Sequence, residues 1–367
     1  MTYMTIRKLI MLTLFVSLTS HAWEVDDFTN RKEILAISAD QKVDNLFEIN
    51  EQTNKYFHAA VNEFNSSHSC VDDMQKNSPE IYSQVKSMLG RENSESTLEN
   101  WISHSRRMVS SKGDPEMYGT PWSIDPSFNL NAHVVGVTKI GHFVDEGFDL
   151  FKEAFIKDGG DFHRALQRSN DYEDYVFGLS NSGVKSYADM AASYSGLTFY
   201  MNLLHGKGNY LSCNQSSTEY EIQRDFDWAD YVNDSWDSGI NCSMFYRAKF
   251  PYDRIANKQQ DEHIKADDYE PIAFGDDYFT NAGTHFNKWL QAKGMSCPAQ
   301  LQQCKSLASL ECATYIVSPA CLKLSDTVNE ACANKKLGDV AVPSFNSGYR
   351  YGEDRYFIRS KMFDLLK

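Results

Sequence analysis

Thr138-Lys-Ile-Gly-His-Phe-Val-Asp-Glu-Gly-Phe-Asp-Leu-Phe-Lys-Glu-Ala-Phe-Ile-Lys157 decides how this chain is read. Ile140, Phe143, Val144, Gly147, Leu150, Phe151 and Phe155 recur at spacings of three and four, which makes one broad apolar face of an amphipathic helix. Lys139, His142, Asp145, Glu146 and Asp149 fall on the remaining face. His142 and Glu146, four apart, are neighbours about 5–6 Å apart at Cβ in a helix. Thr138 is the expected N-cap, and Asp158-Gly159-Gly160 is the expected end. The plain reading of Glu146 is a solvated helix carboxylate. The chemical reading is a carboxyl set among Phe143, Gly147 and Leu150, where the glycine leaves room for a substrate.

Working outward, the chain opens with Arg7-Lys8, the apolar run Leu9 to Leu18, and Ser20-His21-Ala22, the order of a secretory signal peptide with cleavage expected after Ala22. The run is too short to span a bilayer, and no later stretch approaches about 18 consecutive apolar residues. A secreted or periplasmic protein without an integral membrane segment is expected, the mature chain starting at Trp23. The formal charge is −14, and loss of Arg7 and Lys8 makes it −16. That excess of acid argues against nucleic acid or anionic lipid as partner and favours a neutral or cationic ligand.

Eight cysteines (Cys70, Cys213, Cys242, Cys297, Cys304, Cys312, Cys321, Cys332) in an exported chain are expected to form four disulfides. Five fall within 297–332, so at least one must pair outside that cluster, and Cys70 is the natural partner. Cys213 with Cys242 would close the acidic segment between them. There is no CxxC pair to support a zinc ribbon or a thiol oxidoreductase. The 22 Phe, 20 Tyr and 6 Trp suit a large-residue core and also suit carbohydrate, whose apolar ring faces stack on aromatic side chains.

No linker or internal repeat divides residues 23–367, so one monomeric body is expected: N-terminal helices and a loop (23–132), a core (133–204), an acidic Trp/Tyr-rich region with a helix (205–296) and a Cys-rich end (297–367). Helices are expected within 40–65, after Ser78-Pro79, and from Ser96-Thr97. Residues 110–132, with Gly113, Pro115, Gly119, Pro121, Trp122 and Pro126, read as a long loop. A short helix is expected at His163–Ser169, then extended chain from Tyr172 to Gly183. A helix starting at Ser186 or Tyr187 carries a small-residue face of Ala188, Ala191, Ala192, Ser195 and Gly196. Residues 219–240 read as a solvated acidic surface, and Tyr278–Lys293 as another helix.

The order of a helix bearing Glu146, an extended Ser/Asn/Tyr segment and a small-residue helix resembles the lysozyme-like superfamily. Asp145-Glu146-Gly147 is similar to the Glu-Gly step of phage-type lysozymes, and Tyr175-Val-Phe-Gly-Leu-Ser-Asn-Ser-Gly183 would stand where their hairpin stands. Across 133–204 the chain looks like exported muramidases of predatory bacteria that act on deacetylated peptidoglycan. The Gly-x-Gly-His of phage lysozymes is absent, and Phe155 and Asp161 occupy the offsets of their Asp and Thr, so the second catalytic group is not carried over. The resemblance implies a mainly α protein: a lysozyme-like α+β core with a small β-hairpin and appended helices, disulfide-bonded.

It also implies a hydrolase of peptidoglycan or another amino-sugar glycan, with no metal or cofactor. Glu146 is then the general acid, since this chemistry needs a carboxylic acid that can protonate a glycosidic oxygen. Ser180, Ser182, Tyr187, Asp189 and His142 are the candidate substrate-binding residues, with Asp171 and Asp174 behind them. Each also reads as a turn, cap or core residue. Two other classes compete: a metal-dependent hydrolase using His142 and Glu146 with His133 or His163, and a non-catalytic exported binding or inhibitor protein.

Overall fold

A computed structural model describes residue 37 and residues 43–329, except 93–94, 106–107, 111–126, 158–159, 176–183, 206–207, 242, 248–269 and 272–300. The expected signal peptide, most of the expected 110–132 loop, the helix expected at 278–293, and Ser180, Ser182, Cys242, Cys297 and Cys332 lie outside the described residues.

The protein is mainly helical with small antiparallel strand pairs. The N-terminal part is α1 (Leu46–Ser67), α2 (Cys70–Asp73), α3 (Glu80–Leu89) and α4 (Thr97–Ser105), with the short pair β1 (Arg91–Glu92) and β2 (Glu95–Ser96) between α3 and α4. Strands β3 (Met108–Ser110), β4 (Ser127–Leu130) and β5 (His133–Gly136) form one antiparallel sheet, so the end of the expected loop is a hairpin. Its turn residues Asn131 and Ala132 both have positive φ, 53° and 64°. Their N–H groups donate to the Asp44 carboxylate at 2.9 Å each, which holds this uncommon conformation.

The central helix α5 runs unbroken over 138–156 in four pieces: α-helical Thr138–Gly141, π-helical His142–Glu146, α-helical Gly147–Phe151 and π-helical Lys152–Ile156. Thr138 is not its N-cap. Val137 takes that position, Thr138 is buried inside the first turn, and Glu99 of α4 accepts the Gly141 N–H at 3.0 Å. The cap comes from another helix, so no local signature announces it.

Then come α6 (Phe162–Tyr175), β6 (Val184–Lys185) and α7 (Tyr187–Leu204). Tyr172 to Tyr175 are therefore helical rather than extended, and the rest of the expected extended stretch, 176–183, lies outside the described residues. All 18 residues of α7 are buried, as expected of a helix apolar on every side. It lies along α5, and its glycine meets the π-turn directly. A Cβ on Gly196 would stand 1.9 Å from the Phe143 carbonyl oxygen, and one on Gly147 would stand 2.6 Å from Gly196 Cα. Gly147 thus serves helix packing rather than substrate access. Tyr200 adds a hydrogen bond from its hydroxyl to the Val144 carbonyl at 2.9 Å, taking a backbone acceptor of the π-turn.

Gly196→Ala is expected to destabilise the protein by about 3 kcal/mol, the upper end of ordinary overpacking, because the obstacle is backbone and not a movable side chain. The urea midpoint measures this, and an unchanged midpoint would show that the two helices can separate freely.

The hairpin β7 (Leu211–Asn214) and β8 (Glu219–Ile222) packs on α1 and α2, and the Cys70–Cys213 disulfide closes that contact. This overturns both expected pairings: Cys70 is not tied to the C-terminal cluster, and Cys213 is not joined to Cys242. Cys304 pairs with Cys321 inside the cluster, and Cys312 is also disulfide-bonded. Strands β9 (Met244–Arg247) and β10 (Glu270–Pro271) extend β6 into a second three-stranded sheet. The short helices α8 (Leu301–Ser306), α9 (Ala313–Ile316) and α10 (Pro319–Leu322) follow. Asn241 joins them to the body, donating to Ile316 O at 2.8 Å and accepting the Ser318 N–H at 2.9 Å.

Of the segment read as an acidic surface, Glu219, Glu221 and Asp225 are exposed, whereas most of 226–240 is core. Trp228 and Trp236 are 0% exposed. With Phe199, Phe226 and Tyr231 they surround the Phe143 ring at centroid distances of 4.8–5.9 Å. The acids between them work locally: Asp227 caps the turn Trp228–Asp230, Asp237 accepts the Gly239 N–H, and Asp230 pairs with Arg224 at 3.0 Å. Among the described residues no helix is long and apolar enough to cross a membrane.

Candidate active site

The polar residues of α5 do not share one solvated face. Asp145 pairs outward with Lys86 of α3 at 2.7 Å, and Asp149 with Lys152 at 2.8 Å. Lys139 is 0% exposed and turns inward with His142 and Glu146 toward the N-terminal turn of α7.

There Ser186 is the N-cap, its hydroxyl accepting the Asp189 N–H at 3.2 Å. Asp189 is 1% exposed, and its two carboxylate oxygens are divided: Oδ1 lies 3.1 Å from Lys139 Nζ, and Oδ2 lies 3.0 Å from His142 Nε2. The other ring nitrogen, Nδ1, lies 3.0 Å from Glu146 Oε2. Ser193 Oγ is 2.9 Å from the same Oε2 and 2.9 Å from the Asp189 backbone carbonyl. The result is a line, Lys139–Asp189–His142–Glu146, that runs from the core to the surface. Glu146 is its outer end, with the side chain 17% exposed. Its Oε1 has no partner among the described residues.

Charges along the line support one another. Burial alone would lower the His142 pKa, but the carboxylates of Asp189 and Glu146 raise it well above the usual imidazole value. Burial would raise Asp189, but the charges of His142 and Lys139 outweigh that and hold it below the usual carboxylate range. His142 and Asp189 thus each favour the charged form of the other.

A fifth group stands beside them. Glu173, in the last turn of α6 and 2% exposed, accepts the Ser186 N–H on Oε2 at 3.0 Å. Burial and the neighbouring Asp189 charge push its carboxyl up to about 8, with Glu146 adding to the effect and His142 and the Ser186 N–H opposing it. The helix C-terminus disfavours an anion there as well.

His142, Glu173 and Asp189 bring donor atoms within 4.8 Å of one another. The set does not suit a cation. Both oxygens of Asp189 are already engaged, by Lys139 and by His142, so a cation there would have to displace two bonded side chains. The other histidines of the metal reading are engaged elsewhere: His133 Nδ1 with Asp234 at 3.1 Å, and His163 Nδ1 with the Tyr315 hydroxyl at 3.2 Å.

Of the residues singled out from sequence, the structure brings together His142, Glu146 and Asp189. Tyr187 is buried one turn from them, its ring 5.8 Å from Lys185 Nζ, and that ammonium pairs with Asp174 at 2.8 Å. Asp171 is exposed and apart from the line. Lys139, Glu173 and Ser193 escaped the sequence reading. Lys139 carried the one available signal, standing three residues before His142 on the same helical row.

No protein-family model, curated protein or solved structure matches this chain.

Proposed function

We propose that the protein hydrolyses a glycan, peptidoglycan with free amino groups above all, with Glu146 as general acid. The observation that carries this reading is that Glu146, 17% exposed at the outer end of a buried line of paired charges, has an Oε1 with no partner among the described residues. The lysozyme-like resemblance of 133–204 adds the substrate class, and the net charge of −14 favours a polymer bearing ammonium groups over its acetylated form.

The chain's own residues account for proton delivery. Lys139 fixes Asp189, and Asp189 orients His142 with its Nδ1 proton toward Glu146. A sugar covering Oε1 excludes water and raises the cost of the ionised carboxylate, which draws that proton onto Glu146. Glu146 passes it to the glycosidic oxygen as the bond to the leaving sugar breaks. Ser193 suits both states: its single hydroxyl proton donates to ionised Glu146, or turns to the Asp189 carbonyl while protonated Glu146 donates to it.

The test is digestion of native and N-deacetylated peptidoglycan by the purified protein, with and without EDTA. Soluble muropeptides should appear faster from the deacetylated polymer and be unaffected by EDTA. Release from neither polymer would remove the hydrolase reading, and loss of release in EDTA would restore the metal-dependent one.

A further inference from the structure

We propose that Glu173 is a positioning residue of this site: held neutral, its carboxyl takes the Ser186 N–H and so frees the Asp189 carboxylate to hold His142 against Glu146. The inference rests on the proposed role of Glu146 and concerns how its proton supply is kept in place.

The argument begins with the cap of α7. Ser186-Tyr-Ala-Asp189 has the spacing of a capping box, in which the acid at the third helical position normally reaches back to the N–H of the capping residue. Half of that box is present, the Ser186 hydroxyl on the Asp189 N–H at 3.2 Å. The other half is replaced. The Ser186 N–H goes to Glu173 at 3.0 Å, and Asp189 turns inward to Lys139 and His142. Without Glu173, Asp189 would be the nearest acid able to satisfy a fully buried backbone donor, and it would leave His142 to do so.

The same geometry requires Glu173 to be neutral. Its donor atoms lie within 4.8 Å of both Asp189 and His142. A charged carboxylate there would repel that of Asp189 from its place. The groups facing Glu173 are Asp189 from α7, and His142 and Glu146 from α5 with Lys139 behind Asp189. The Lys185–Asp174 pair stands alongside. The second π-turn of α5, which also packs on α6, carries Glu153, already engaged by Lys157, Arg164 and Arg168. The packed helix α9 offers only the Tyr315 hydroxyl, bonded to His163. The carboxyl's rise to about 8 agrees with the requirement and places its failure on the alkaline side.

Glu173→Gln is the test, because the amide oxygen still accepts the Ser186 N–H and the group cannot ionise. The wild type should lose muropeptide release as pH rises through about 8, while Glu173→Gln keeps wild-type activity at pH 6 and holds it at least about one pH unit further into alkali. An unmoved alkaline limb, or a variant inactive at every pH, would overturn the proposal. Infrared difference spectroscopy supplies a readout free of activity: a protonated-carboxyl stretch present at neutral pH, titrating away near pH 8 and missing in Glu173→Gln. Absence of that band from the wild type would overturn the proposal even if both proteins digest peptidoglycan. If the wild type releases nothing from either polymer, the glycan reading fails, while the band still decides the state of Glu173.

Discussion

Glu146→Gln is expected to lower muropeptide release by about 10²–10⁴-fold, the usual worth of a positioned general acid, while the protein stays folded. The amide keeps the shape of the side chain and can still meet Ser193 and His142, but it has no proton to give the glycosidic oxygen. Its side chain is only 17% exposed in the native protein, yet it ends the line rather than supporting it, so the packing behind it is untouched. A loss in kcat with binding retained would mark an interaction made in the transition state, whereas an equal loss of binding would mark a substrate contact. Wild-type turnover in this variant would mean that another carboxylate is the acid.

The variant also carries a pH signature. The folded pKa of His142 is raised by Asp189 and Glu146 against the pull of burial. A group raised in this way contributes stability that is complete below its unfolded value of about 6.5 and is lost as pH rises through the folded value. With one carboxylate neutralised the folded value is raised less, so the contribution is smaller and is exhausted at lower pH. Melting temperatures of the two proteins should therefore differ at about pH 6 and converge as pH rises through the wild type's folded value.

Much of the framework was legible because apolar spacing reports burial whatever the partner. The helix at 138–156, the helices after Pro79 and from Thr97, and the Ser186-capped α7 all follow from it. What was not legible depends on contacts made across the fold. The π-turn at His142–Glu146 has the same apolar residues an α-helix would have, and it is recognisable only once Phe143 O meets Gly196 and Val144 O meets Tyr200. The end of α6 was misread because Tyr172, Glu173, Asp174 and Tyr175 offer no apolar period, their helix being held by neighbours on α5 and α7. Trp228 and Trp236 were placed outside because the aspartates around them look solvated, although those acids cap turns and pair with Arg224.

The site shows the same division. His142 and Glu146 follow from a spacing of four on one helix, and Asp189 was marked by its place near a helix start. Lys139 was placed on the polar face and given no role there, a lysine on such a face being ordinarily exposed. Its inward turn depends on Asp189, which is 50 residues away in sequence. Glu173 was hidden by the misread end of α6, and no spacing on α7 singled out Ser193.

Asp189→Asn is expected to destabilise the protein by about 3–5 kcal/mol, since removing one partner of a buried ion pair leaves the other charge uncompensated. Two cations lose the Asp189 carboxylate at once. Lys139, 0% exposed, has no route to water without opening the contact between α5 and α7, and His142 keeps only Glu146. Both must release protons or move. The His142 pKa should accordingly fall toward or below the ordinary imidazole value, visible as a shift in its ring-proton titration by NMR. Activity should drop with it, because the proton aimed at Glu146 is no longer held there. The double variant Lys139→Met/Asp189→Leu separates charge from packing. Replacing both partners with apolar residues removes the stranded ammonium, so it should recover most of the lost stability while leaving activity low. Equal unfolding midpoints for Asp189→Asn and the wild type would show that the pair contributes nothing to the fold. A double variant less stable than Asp189→Asn would show instead that the lost stability came from displaced packing, and that the line of charges is not what holds His142 in place.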